Sequence, residues 1–150
     1  MRFISILLLS LFLANAVRAQ SANWRYEWSH TDFSTTSIDF KEIISGGPGK
    51  DGILAIRSPR FYEVSKETKL GEREPVMTVE LSGQIPRAYP VRYLMWHEII
   101  NDQIGAVPIA VTFCPLCNSG ITFDRRLNDG GTLTMGVTGK LRNSDMIMYD

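Results

Sequence analysis

The 150-residue sequence is poor in cysteine and has no excess of charge of either sign. It contains two cysteines, and its 16 Lys and Arg residues balance its 16 Asp and Glu residues. Two cysteines exclude a miniprotein held together by several disulfides and any site that needs four thiolates. The charge balance argues against a nucleic-acid binder, because such proteins carry a basic face. The composition is 44% hydrophobic and 10% aromatic, which predicts one domain with a core.

Long apolar runs are also absent, except at the N-terminus. Residues 3–14 are almost entirely apolar, follow a positively charged start, and are followed by small residues up to Ala19. The run is shorter than the about 20 residues that a bilayer-spanning helix needs. We therefore interpret residues 1–19 as a secretory signal cleaved after Ala19, with an uncleaved anchor as the alternative. We expect residues 20–150 to form a single exported domain, periplasmic or extracellular, without a transmembrane segment.

Strand patterns dominate the rest of the chain. Apolar and β-branched residues predict strands over residues 76–81, 85–89, 107–113, 120–126, 132–138 and 145–149. Ser82–Gly83 and residues 128–131 have the composition of turns. Pro90 begins the one convincing helical pattern, which ends near residue 101. The predicted fold class is α+β, mostly antiparallel β with one principal packed helix over about residues 90–101.

The sharpest local motif is Cys114-Pro115-Leu116-Cys117, at the end of an apolar strand that we expect to be buried on both faces. Three interpretations stay open. The two cysteines bind a soft transition metal, or exchange thiol for disulfide, or form a permanent structural disulfide. A thioredoxin-like arrangement is disfavoured, because the residues after Cys117 predict a strand where that arrangement needs a helix.

His97 is the expected third group of this site. The helix that carries it leads into the strand that ends at Cys114, and imidazole with two thiolates suits copper or zinc, copper above all. Glu98 and Asn101 lie beside it, and we expect them to orient the ligands, as we expect of Asn118. In the redox alternative, Cys114 attacks, Cys117 resolves, and His97 or Arg142 lowers the thiol pKa.

Another polar cluster, Arg142, Asn143 and Asp145, precedes the last predicted strand. These residues either orient a ligand or satisfy a turn, and we favour the turn.

Four segments of the sequence resemble one bacterial family of exported or membrane-tethered proteins, domain of unknown function 3179 (DUF3179). They are residues 51–56, 87–102, 107–126 and 136–150. The resemblance implies a shared site without naming its chemistry. Members of the family usually continue past the position of Asp150, so we expect a domain that is incomplete at its C-terminus. By this resemblance, the signature blocks contain His97, Glu98, Asn101, Cys114, Cys117, Asn118, Arg142, Asn143 and Asp145.

The leading functional hypothesis is therefore an exported domain that binds or handles a soft transition metal, with copper or zinc as cofactor. The first alternative is a thiol–disulfide oxidoreductase. The second is a module without enzymatic activity that binds a ligand or an exported protein partner and carries a structural disulfide. Whether the protein is an enzyme stays open at this point.

Overall fold

The structure is a computed structural model that describes Trp24 and residues 26–150. The signal interpreted in residues 1–19 lies outside the described residues. The chain divides into two compact units, Met1–Ile44 and Ser45–Asp150. We describe each unit by itself.

The described part of the first unit contains a small aromatic cluster. The ring of Phe40 meets those of Trp24 and Phe33 edge-on, with centroid distances of 5.9 and 5.8 Å. Phe40 begins a short 3-10 helix, Phe40–Glu42, and Asp39 caps it by accepting a hydrogen bond from the Lys41 N–H at 3.0 Å. Aromatic packing and one cap thus order this segment locally.

The second unit is mostly antiparallel β, as the sequence predicts. It contains one α-helix, α1 (Val91–His97), and a short 3-10 helix, Val64–Lys66. In chain order, the strands are β1 (Ile44–Ser45), whose two residues belong one to each unit, β2 (Val76–Val79), β3 (Arg87–Pro90), β4 (Ile99–Ile104), β5 (Val107–Cys114), β6 (Ser119–Asp124), β7 (Gly136–Arg142) and β8 (Asp145–Tyr149). They form a two-stranded sheet, β2-β3, and two three-stranded sheets in the orders β4-β5-β6 and β1-β7-β8.

The helix is shorter than predicted. It ends at His97, and Glu98 adopts a positive φ of 58° while its N–H donates to the Leu94 carbonyl at 2.8 Å. Ile99 and Ile100, which the helical spacing had placed in the same helix, instead begin β4 and are 0% and 4% exposed. The prediction failed because two β-branched residues gain more by pairing with β5 in a buried sheet than by extending a short helix.

The predicted packing of the helix is only partly confirmed. Leu94 is fully buried, but Tyr93, Met95 and Trp96 are 47%, 49% and 80% exposed. The helix therefore packs against the core mainly through Leu94, and its other large apolar side chains face outward. No helix within residues 26–150 is long and apolar enough to cross a bilayer.

The core lies around β5. Five consecutive residues of this strand, Pro108–Thr112, are buried, which confirms the expectation of a strand covered on both faces. Tyr89 of β3, Leu94 of α1 and Ile100 of β4 join the same hydrophobic cluster. The strand that ends at the cysteine motif is thus part of the buried core of the unit.

Buried polar groups tie the strands together. The Arg125 guanidinium is 9% exposed, and it donates to the carbonyls of Ile109 at 2.9 Å and Asp102 at 3.1 Å. The Asp102 carboxylate in turn accepts from the Tyr89 hydroxyl at 2.7 Å. Burial and this hydrogen bond to the carboxylate raise the pKa of Tyr89, which keeps the hydroxyl as the donor.

The turns fall where the sequence placed them. Gly83, with φ 72°, lies between β2 and β3, and Gly130, with φ 87°, lies within the predicted turn over residues 128–131. The strand predicted over 132–138 begins later, at Gly136. The residues before Gly136 form hydrogen bonds outside this strand: the Leu133 N–H donates to the Arg125 carbonyl, and the Met135 N–H donates to the Asn101 side chain.

Candidate cysteine centre

The cysteine motif forms a tight turn between β5 and β6. Cys114 is the last residue of β5 and pairs in register with Ser119, the first residue of β6. Between them the chain reverses over Pro115–Asn118, and Asn118 closes the turn with a positive φ of 49°. Asparagine tolerates this left-handed conformation better than most residues, so the local sequence suits the turn.

The two cysteines form a disulfide. Their Cα atoms are 5.2 Å apart, and the Cys117 N–H lies 3.2 Å from both the carbonyl oxygen and the Sγ of Cys114. Cys114 is only 3% exposed, whereas Cys117 is half-buried and the neighbouring Leu116 is 71% exposed. The two cysteine residues therefore differ in exposure, although they lie in one turn.

A carboxylate completes a group of three. The Sγ atoms of Cys114 and Cys117 and a carboxylate oxygen of Asp145 all lie within 4.8 Å of one another. Asp145 begins β8 immediately after the two-residue turn Asn143–Ser144, whose φ angles of 51° and 59° fit a type I′ hairpin. The turn favoured for this segment is present, and it also brings Asp145 to the cysteines.

His97 lies outside this group. Within residues 26–150, the group just described is the one place where three or more Cys, His, Asp or Glu side chains converge closely enough for a metal ion. The Nδ1 atom of His97 lies instead 2.8 Å from the carbonyl oxygen of Leu54. A role for His97 at the cysteines stays a prediction.

Glu98 does lie beside the centre. It lines a small cavity together with Cys114, Leu116, Val137 and Met146. Burial raises the pKa of the Glu98 carboxyl, because an apolar lining disfavours the ionised form. A carboxyl whose protonated form is favoured by burial thus shares a cavity with the buried cysteine.

The Asn101 side chain forms hydrogen bonds with the backbone of Met135. It is 2% exposed, its Nδ2 donates to the Met135 carbonyl at 2.9 Å, and its Oδ1 accepts from the Met135 N–H at 2.8 Å. The side chain thus pairs with the backbone of the segment before β7 much as a neighbouring strand would. These hydrogen bonds place the Asn101 amide group against Met135.

The remaining candidates lie in the two turns that form the centre. Asn118 is an exposed residue of the cysteine turn, and Asn143 is an exposed residue of the β7–β8 turn. Arg142 is the last residue of β7 and faces Asp145 in the strand register. The sequence placed Asp145 among the orienting residues and missed its direct proximity to both sulfurs. The polar residues before β8 indicate a turn in the sequence, but no local pattern indicates that this turn lies beside the cysteines.

The chemistry of the centre depends on the state of its sulfurs. In the disulfide neither sulfur is a thiolate, and the thiolate is both the nucleophile and the metal ligand. After reduction, two thiolates and one carboxylate offer three anionic ligand atoms close to one another. The arrangement can therefore bind a cation or carry out thiol–disulfide exchange.

Comparisons with known proteins identify a family and no individual relative. Neither the curated proteins nor the solved structures contain a match to the chain. The model of one family, described as "Protein of unknown function (DUF3179)", matches residues 50–150. The matched range contains the cysteine turn, the Asp145 hairpin and every strand from β2 to β8. The chain belongs to the DUF3179 family.

Proposed function

We propose that the protein is an exported domain that binds a soft transition metal, copper(I) foremost, through the thiolates of Cys114 and Cys117 and the carboxylate of Asp145. The observation that carries the proposal is the convergence of these three ligand atoms within 4.8 Å. Asp145 takes the place predicted for His97, because it is the third ligating group that lies near both sulfurs.

The charge of the reduced centre supports a bound cation. Two unit negative charges about 5 Å apart repel each other by about 3 kcal/mol at an effective dielectric constant of about 20. Three such groups within 4.8 Å of one another would either keep protons or bind a positive ion. A disulfide with a purely structural role needs no carboxylate beside it, so Asp145 favours the metal over that alternative.

The number of ligands favours copper(I) over zinc. A structural zinc site has four protein ligands, and this centre offers three. Copper(I) prefers thiolates and accepts fewer ligands. Zinc remains a cofactor to test, since a fourth position filled by water or substrate is typical of open zinc sites.

Metal analysis of the reduced full-length chain tests the proposal. The protein is reduced, equilibrated with copper(I) or zinc under anaerobic conditions, freed of unbound metal and analysed for its metal content. We expect about one metal ion per chain and a clear loss in Cys114→Ser, Cys117→Ser and Asp145→Asn. Asp129→Asn, in an exposed turn, serves as the matched control. Metal-free protein under reducing, metal-replete conditions would contradict the proposal.

A His97→Ala variant decides between the two candidates for the third ligand. If Asp145 is the ligand, this variant keeps the metal content of the unmodified protein. Loss of metal in His97→Ala with retention in Asp145→Asn would restore the assignment made from the sequence.

Thiol–disulfide exchange is the second candidate, and the disulfide itself favours it. In the reduced form, the Cys117 N–H at 3.2 Å would stabilise a thiolate on Cys114. Equilibration in buffers of defined redox potential, followed by alkylation of free thiols and mass measurement, gives the potential of the pair. A value well above about −300 mV supports exchange, and a lower value indicates a structural bridge. A bridge of that kind in a protein that binds no metal would leave a ligand- or partner-binding module.

A further inference from the structure

We propose that the Cys114–Cys117 disulfide is the closed, metal-free form of the centre, and that a dithiol reductant opens it by attacking Cys117. The inference rests on the metal-binding function proposed above and adds to it a redox switch and a class of partner. It is carried by the unequal exposure of two cysteine residues that share one disulfide and one neighbouring carboxylate.

The disulfide and a bound metal ion exclude each other because both use the same electron pairs of the two sulfur atoms. In the disulfide, each sulfur shares with the other the electron pair that a thiolate would donate to a metal. Opening the bridge takes two electrons and two protons, and a dithiol supplies both as it becomes a disulfide. A metal ion that then binds displaces the protons from the two new thiols. Metal is therefore bound only after reduction.

The exposure of the sulfurs selects the point of attack. An incoming thiolate needs access to the sulfur that it attacks. Cys114 is 3% exposed at the end of the most buried strand, whereas Cys117 lies half-buried in a turn beside the exposed Leu116. Cys117 is therefore the sulfur that a reductant can reach. In the redox alternative from the sequence, Cys114 is the attacking thiol and would carry the mixed disulfide; in the present proposal the mixed disulfide forms on Cys117.

The hydrogen bond in the turn favours the same direction. When the reductant bonds to Cys117, the S–S bond breaks and Cys114 leaves as a thiolate. The Cys117 N–H, 3.2 Å from the Cys114 Sγ, donates to that leaving group and stabilises its charge. The second thiol of the reductant then attacks the mixed disulfide, releases Cys117, and carries the new disulfide away.

Bound metal shifts this equilibrium toward the open form. If the metal concentration is about 1,000 times the dissociation constant, the reduced form gains a factor of about 1,000 in population. For a two-electron couple, this factor raises the apparent reduction potential by about 90 mV, at 29.6 mV for each factor of ten. A rise of this kind connects metal supply to the redox state of the protein.

The order of attack is tested with single-cysteine variants. The variants Cys114→Ser and Cys117→Ser each keep one thiol, and both are treated with the aromatic disulfide DTNB. We expect Cys117 to react at least about ten-fold faster than Cys114 in the folded proteins. In guanidinium chloride the two rates should become similar, which separates the effect of burial from intrinsic reactivity. Faster reaction of Cys114 in the folded state would overturn the proposed direction.

The redox switch is tested with cadmium(II), an ion that binds thiolates and neither oxidises nor reduces the cysteines. We expect the reduced full-length chain to bind about one cadmium ion, measured by metal content after removal of unbound ion and by the ultraviolet charge-transfer band of the thiolates, and the oxidised chain to contain none. Equal cadmium content in both states would overturn the redox switch and the thiolate ligands together, because a disulfide offers no thiolate. Cadmium bound only after reduction, with Cys114 as the faster thiol, would overturn the proposed direction of attack and leave the metal function standing. Absence of cadmium binding in both states would overturn the metal function and the redox switch together, whatever the order of thiol reactivity with DTNB.

Discussion

Reduction of the disulfide should cost little stability, and metal should more than restore it. The bridge closes a loop with a sequence separation of 3. For a loop of about four residues, the chain-entropy relation gives about 6 cal/mol/K, or about 2 kcal/mol at 25 °C. For a unit of roughly 100 residues, this loss corresponds to a fall in Tm of about 10 °C. The reduced protein therefore stays folded and available to metal.

Metal binding to the reduced protein reverses the loss. A ligand at about 1,000 times its dissociation constant adds about 4 kcal/mol to the free energy of unfolding, provided that the unfolded chain does not bind it. The reduced, metal-loaded protein should thus exceed the oxidised protein in stability by about 2 kcal/mol. Thermal unfolding followed by circular dichroism gives the three values in one buffer: oxidised, reduced, and reduced with cadmium(II).

Two results would refute this reasoning. If excess metal leaves the Tm of the reduced protein unchanged, the sulfurs and Asp145 do not form a metal site. If reduction alone unfolds the protein at 25 °C, the bridge contributes far more than its loop length predicts. Asp145→Asn is the informative variant, because it should keep the loss on reduction and lower the recovery with metal.

Three further predictions concern the framework around the centre. Asn101→Ala should lower the free energy of unfolding by about 2–4 kcal/mol in urea denaturation, because both backbone groups of Met135 lose a buried partner; an unchanged midpoint would contradict this. Leu94→Ala should cost about 2–5 kcal/mol and Trp96→Ala less than about 0.5, since Leu94 is fully buried and Trp96 is 80% exposed; equal losses would refute it. Burial raises the pKa of Glu98 above its usual value of 4.5, so its contribution to stability is fully present below about pH 4.5 and is lost as pH rises through the folded-state pKa. Glu98→Gln should flatten that part of the stability–pH curve, and an unchanged curve would count against the burial of this carboxyl.

The elements that the sequence predicts well are those with local signals. A Ser-Gly turn lies between β2 and β3, β5 is a continuous apolar run, and β8 matches its predicted bounds of residues 145–149. Turn residues and apolar runs act over a few positions, so one sequence is enough to read them.

The end of the helix and the third member of the centre needed the tertiary structure. Helical spacing continues through Ile99, but the positive φ of Glu98 and the pairing of Ile99 with β5 end the helix at His97. His97 was favoured as a ligand because its helix leads toward Cys114. Asp145 is 28 positions from Cys117 in the sequence, and only the packing of two turns against each other brings them together. Contacts of this range depend on the whole fold, which local patterns do not encode.

The turn Asn143–Ser144 makes the carboxylate of the centre sensitive to chain length as well as to residue type. Side chains alternate between the two faces of a strand, so one residue added between β7 and β8 would shift the hairpin register and turn Asp145 to the opposite face. The cysteine turn belongs to a different sheet and would keep its geometry. Two relatives with identical cysteine motifs and an aspartate after the hairpin would then differ in metal affinity solely because their loops differ by a single amino acid.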